Sequence, residues 1–105
     1  MEAMEIYFQI GRKLKELREE YGLKQSQVAE KIGLTRSSIA NIEQGRQKIQ
    51  IDTLYELAYL YKVTVVDLLP ELSNLAKFKD QESLKVLEDD KAKIYSIINK
   101  LGMRD

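Results

Sequence analysis

The 105-residue sequence contains neither cysteine nor histidine. Those absences remove disulfides, thiolate and imidazole catalysis, and the usual zinc sites. A cysteine-free chain is compatible with a reducing compartment. No apolar run approaches the length of a membrane span and nothing at the N-terminus resembles a signal peptide, so a cytoplasmic location is expected. There is one proline. No glycine-rich linker, internal repeat or low-complexity run divides the chain, and no stretch alternates apolar and polar residues as a half-buried strand would. Net charge is missing too: 17 Lys+Arg balance 17 Asp+Glu, whereas a nucleic-acid binder is expected to be basic somewhere.

What is present can fold. Hydrophobic residues make up 44% of the chain, enough for a packed core and too many for global disorder. The length suits one domain of ordinary size. The balanced charge is also unevenly spread. Between Lys24 and Lys48, the bases Lys24, Lys31, Arg36, Arg46 and Lys48 meet only Glu30 and Glu43, while acidic residues outnumber basic ones from Ile51 onward. Chance clustering on a solvated surface would look the same, so this charge indicates a partner only if the fold gathers it.

The pattern is helical throughout. Ile6, Ile10, Leu14, Leu17 and Tyr21 recur at helical spacing. Gly11 interrupts that run at a cost of about 1 kcal/mol relative to alanine, which moves the expected helix start towards Ile10. Gly22 ends it, and Leu23 is expected to dock into the core. From Gln25 to Gly45 the sequence reads as two short helices about a tight turn. Val28, Ala29 and Ile32 line the first helix and Gly33 stops it. Thr35 can cap the second, which turns Ile39 and Ile42 inward and ends at Gly45. So short a turn makes the helices cross steeply, a helix-turn-helix arrangement whose second helix can enter a DNA major groove.

Beyond a polar loop with two cations, Leu54, Leu57, Ala58 and Tyr61 predict a fourth helix, with Asp52 at the positive end of its dipole. Thr64 to Asp67 resembles a capping box opening a short fifth helix that carries Val65, Leu68 and Leu69. Pro70 disfavours helix at the residue before it. The expected organisation is therefore a DNA-binding domain over residues 1–70 and a helical extension over 71–105. In the extension, Leu72, Leu75 and Phe78 form a short stripe. A long helix from about Gln81 to Leu101 carries Leu84, Leu87, Ile94, Ile98 and Leu101. That stripe can fold back on its own chain or pair with a second copy, and pairing is favoured because two recognition helices read two half-sites. The acidic run Glu88, Asp89 and Asp90 is read as solvated surface, and no metal or cofactor is expected.

The outward side of the second motif helix carries Ser37, Ala40, Asn41 and Gln44, with Arg36 and Ser38 on its flanks. Asparagine can bond adenine bidentately, arginine can bond guanine, and serine donates or accepts. Lys24, Gln25, Ser38, Gln44, Arg46 and Lys48 are the expected phosphate contacts. Arg18 and Glu43 lie at matching edges of their apolar stripes. Spacing alone leaves open whether they pair or are solvated separately.

From Ile10 to Leu69 the chain resembles the phage repressor/Cro-like helix-turn-helix family, also called the Xre family. The resemblance is carried by Leu14, Leu17, Arg18, the stretch GLKQSQVAEKIGLTRSSIANIEQGR, then DTLYELAYLYKV and the VVDLL ending. It implies an all-α, five-helix repressor-like bundle that binds double-stranded operator DNA as a dimer, with the helix after Thr35 in the major groove. It also implies an ion pair at Arg18 and Glu43, a phosphate-contacting glutamine at Gln25, and base-reading positions at Arg36, Ser37 and Asn41. Lys24 departs from the usual Ser, Thr or Asn cap, and Ile49-Gln50 from a common Pro-Ser pair. The leading expectation is a transcriptional regulator, a repressor acting by occupancy at a palindromic operator and not an enzyme. The alternative is an antitoxin or a regulator controlled by a protein partner or anti-repressor that the C-terminal helix binds.

Overall fold

Helix α1 (Ala3–Glu20) is built on the run Ile10, Leu14 and Leu17, all buried, with Ile6 and Tyr7 packed partly against the core. The computed structural model describes residues 3–76 and 92–100. Two units divide the chain, Met1–Pro70 and Glu71–Asp105. In the first, α2 (Gln25–Ile32), α3 (Arg36–Glu43), α4 (Ile51–Leu60) and α5 (Val65–Leu68) follow α1. All described elements are helical, as expected from the absence of strand alternation.

α1 does not start near Ile10. It runs back to Ala3 through Gly11, which is buried. A Cβ on Gly11 would overlap the Ile42 carbonyl oxygen and lie 2.6 Å from that of Glu43. The glycine that weakens the isolated helix is what lets α1 touch the backbone of α3. Gly45 gives the same closeness at the other end. Its φ is +75°, a conformation that penalises residues with a Cβ, and a Cβ there would lie 2.6 Å from the Phe8 Cα.

The turn between α2 and α3 is as short as the sequence predicts. Gly33 closes α2 at φ 73°, and the Leu34 N–H returns to the Ala29 carbonyl at 2.9 Å. The Thr35 hydroxyl oxygen then accepts the Ser38 N–H at 3.0 Å and starts α3. At α2 the cap comes from the other side: Gln27 Oε1 accepts the Lys24 N–H at 2.8 Å, because a lysine ammonium has no acceptor to offer. Thr64 and Asp67 bond reciprocally at 3.1 and 3.0 Å and open α5. The Thr64 backbone N–H, and then its side chain, hold the Asp67 carboxyl below its usual range.

Val28, Ile39, Leu57, Tyr61 and Leu68 meet α1 in one core. Burying a large aliphatic side chain contributes about 1.5–3 kcal/mol, so this cluster carries the fold. Three expectations shift. Ile49, placed in a polar loop, is buried and anchors the approach to α4. Tyr21 is 48% exposed; its hydroxyl donates to the Tyr61 carbonyl at 2.9 Å and its ring stacks on Tyr61 at 5.9 Å, which holds it at the rim. Leu69 is exposed, since α5 ends at Leu68 and the chain turns extended.

In the second unit, Leu72–Asn74 form a single 3-10 turn, Leu75 is buried, and residues 92–100 are helical. Ile94 is exposed and Ile98 half-buried there, four residues apart on one face. Phe78, Leu84, Leu87, Leu101 and the acidic run Glu88 to Asp90 lie outside the described residues.

Candidate nucleic-acid interface

α3 buries Ile39, Ile42 and Glu43 and leaves Arg36, Ser37, Ser38, Ala40 and Asn41 on its outer side. Arg36 and Ser37 in its first turn are exposed. Asn41 is half-buried, four residues after Ser37 and therefore on the same face. Ser38 is half-buried beside them and Gln44 is exposed at the helix end. The side chains between the two ends are small, so a major groove could approach this helix closely.

The basic loop is pinned to the same helix. The Asn41 carbonyl accepts the Arg46 N–H at 2.9 Å and the Gln47 N–H at 3.3 Å. This brings exposed Arg46 and Lys48 beside the end of α3. Lys24 and Gln25 stand at the start of α2, Lys24 exposed and Gln25 half-buried. Opening N–H groups of a helix lack intrahelical acceptors and favour anions.

Behind this surface lies the one charged residue buried among those described, Glu43, at 6% exposure. Arg18 meets its carboxylate with two bonds, Nε to Oε2 at 2.7 Å and Nη2 to Oε1 at 3.0 Å. Arg18 Nη1 donates to the Leu23 carbonyl at 2.8 Å. The bonds to Glu43 raise the Arg18 pKa further above its ordinary value. The structure adds a third donor: Gln25 Nε2 reaches Glu43 Oε1 at 3.0 Å. α1, α2 and α3 thus share one carboxylate. The signal for Gln27 as a cap was available, since a glutamine three residues after the cap position is half of a capping box. No comparable local signal marks the Gln25–Glu43 contact, which joins residues 18 apart in sequence.

Among the described residues, no group of three or more acidic side chains is placed to hold a metal. No described helix is long and apolar enough to cross a membrane.

A helix with a small polar outer face, set on a short turn and flanked by cations, defines a helix-turn-helix DNA-binding regulator. Residues 14–68 match the model of the helix-turn-helix family HTH_3, more than half of the chain, and the protein belongs to that family. Solved structures are similar in the same region. The restriction-modification controller protein C.AhdI from Aeromonas hydrophila is 29% identical with a TM-score of 0.56, over 59% of this chain and 90% of that one. The BldD DNA-binding domain from S. venezulae is 34% identical with a TM-score of 0.56, over 63% of this chain and 99% of that one. An HTH_3 family transcriptional regulator from Vibrio cholerae is 26% identical with a TM-score of 0.57, over 62% of this chain and 36% of that one. No curated protein sequence matches the chain. The regulators of this family bind double-stranded DNA, and the protein is a DNA-binding transcriptional regulator.

Proposed function

We propose that the protein is a cytoplasmic repressor that occupies a palindromic operator as a homodimer, with α3 in the major groove. Arg36, Ser37 and Asn41 read base edges. Lys24, Gln25, Ser38, Gln44, Arg46 and Lys48 hold the backbone. The observation that carries this reading is the outer face of α3, where exposed Arg36 and Ser37 share the helix with half-buried Asn41. Arginine to guanine and asparagine to adenine are the pairings that such a face offers.

Dimerisation is assigned to the segment after Pro70. One recognition helix contacts few base pairs, whereas two set about 34 Å apart read successive turns of the groove. The exposed Ile94 and half-buried Ile98 support an apolar seam on helix 92–100, and a symmetric seam needs only one patch per chain. Selection of bound duplexes from random DNA tests the reading: paired half-sites related by a two-fold axis are expected, and a single unpaired site would refute the dimer. Sedimentation of the full chain against a chain stopped after Glu71 tests the seam. If both chains are monomers, or both are equally dimeric, dimerisation lies elsewhere or nowhere.

A second reading, an antitoxin or a regulator controlled by a protein partner, draws support from α4. Tyr55 and Tyr59 are 61% and 88% exposed and one turn apart. With Ile32 and Leu60, and with Lys31 and Lys62 beside them, they line a groove of about 770 Å³. Contiguous exposed apolar surface of this kind marks interaction sites. A partner recovered on this face that displaces operator DNA would favour this reading.

A further inference from the structure

We propose that Glu43 is a positioning residue for DNA binding: its carboxylate, neutralised by Arg18, fixes the Gln25 amide so that nitrogen and not oxygen faces a backbone phosphate at the start of α2. The inference rests on the reading of Gln25 as a phosphate contact and adds what makes that contact work.

A glutamine amide has two ends of nearly equal shape and opposite chemistry. A phosphate oxygen only accepts, so it is bound by the nitrogen end and repelled by the oxygen end. Left in water, the amide turns freely between them. Glu43 removes that freedom. An ionised carboxylate also only accepts, so the atom that touches Oε1 at 3.0 Å must be Gln25 Nε2. One of its two hydrogens is spent there. The second stays on the same nitrogen, at the first residue of α2, where the opening N–H groups and the helix dipole already favour an anion.

A carboxylate near a phosphate would normally be a liability. Here Arg18 cancels it, with bonds of 2.7 and 3.0 Å to the two oxygens of the same group. Oε1 keeps a lone-pair direction for Gln25, since a carboxylate offers about four. Glu43 is 6% exposed, so the network is largely shielded from water that could compete for the amide. The α1–α3 ion pair thereby sets the donor that α2 presents. Aspartate at position 43 would be one methylene short, and glutamate at position 25 would place a second carboxylate against Glu43.

The test uses the full chain, a duplex selected by that chain from random DNA, and the variants Gln25→Met, Glu43→Gln, Glu43→Asp and Gln25→Met/Glu43→Asp. In the free wild-type protein, the Gln25 side-chain amide should give a shifted, slowly exchanging NMR resonance. That signature should be lost in Glu43→Asp while the Arg18 guanidinium remains protected. Gln25→Met should weaken binding about tenfold, the size of one hydrogen bond to a charged group, on selected and unrelated duplexes alike. Its salt slope should not change, because no cation is lost. Folded Glu43→Asp should weaken binding by a similar factor, and the double variant should be no weaker than either single one. Should Glu43→Gln fold, it should also lower affinity, since the neutral acceptor holds the amide less firmly. The proposal is overturned if Glu43→Asp loses the amide signature yet binds like wild type, or if the two losses multiply. Failure of the wild-type chain to bind any duplex overturns the phosphate reading and the positioning role with it. That case is recognisable because the amide signature persists.

Discussion

The two halves of the first unit hold their helices in different ways. α1 meets the backbone of α3 at Gly11, Gly45 lies against the α1 backbone at Phe8, and Arg18 of α1 and Gln25 of α2 lock onto the one carboxylate of Glu43 in α3 through three bonds. α4 and α5 instead pack through ordinary apolar side chains, Leu54, Leu57, Ala58 and Leu68, and their one reciprocal polar link is the exposed Thr64–Asp67 cap. The first arrangement tolerates little error and the second tolerates more. The demanding one lies where α2 and α3 must keep a fixed angle to meet a groove and its flanking phosphates together.

The comparison breaks most visibly at Glu43. Removing one partner of a buried pair strands the other charge and typically costs about 3–5 kcal/mol. Glu43→Ala leaves Arg18 with a side chain 12% exposed and Gln25 without its acceptor, so urea unfolding should show a loss in that range. No polar link among the described residues of α4 and α5 should cost as much. An unchanged midpoint would mean that the pair is solvated in solution.

Gly11→Ala gives the next largest effect and decides by its sign. Helix propensity alone would make the variant more stable by about 1 kcal/mol. The Cβ, however, would lie 2.6 Å from the Glu43 carbonyl oxygen, and forcing atoms into a packed contact costs about 1–3 kcal/mol. Destabilisation is expected, with weaker DNA binding as α1 and α3 separate. A more stable variant would show that the helices are not held this close.

How much of this was legible in the sequence follows the same division. The helix-turn-helix was readable because glycine stops, a threonine cap and 3.6-residue periodicity are local signals, and each of these three coincides in the structure with the feature it marks. Arg18 and Glu43 could be paired only as an option until the resemblance to a family was added. Helix propensity misplaces the start of α1, because it treats Gly11 as a weak point and cannot see the carbonyls of a helix more than 30 residues further along. Ile49 carries no sequence signal of burial, because one apolar residue between polar ones has no period. The Gln25–Glu43 contact was invisible for the same reason as Gly11, since both depend on how α1, α2 and α3 assemble.

Tyr61 lets the two halves be separated by pH. Burial, with the Glu43 carboxylate second and Arg18 opposing, pushes its phenol up to about 12, while an unfolded tyrosine titrates near 10. The folded state therefore holds this proton more tightly. Its contribution is fully present below pH 10 and is lost as pH rises through about 12. Stability should fall across that window in the wild-type chain and fall less in Tyr61→Phe. Equal alkaline profiles would mean that Tyr61 titrates as in the unfolded chain.

The smallest effect is expected where α4 ends. α1, α2 and α3 are each followed by a glycine at positive φ, whereas the corresponding residue after α4 is Lys62 at φ 57°. A left-handed conformation costs a residue with a Cβ about 1–2 kcal/mol. Lys62→Gly removes that cost but adds freedom to the unfolded chain, which offsets about 0.4–1 kcal/mol. The net gain should be under about 1 kcal/mol, seen as a small rise in the urea midpoint. The outcome bears on why a lysine stands there. Lys62 lines the groove beside Tyr55 and Tyr59, and strain held at a surface position is a reason to look for a partner. If Lys62→Gly stabilises the chain without altering operator affinity, the strain serves neither the fold nor DNA, and the groove becomes the place to look for what it does serve. If it destabilises, the lysine stem packs on the tyrosines and offsets the strain within the fold.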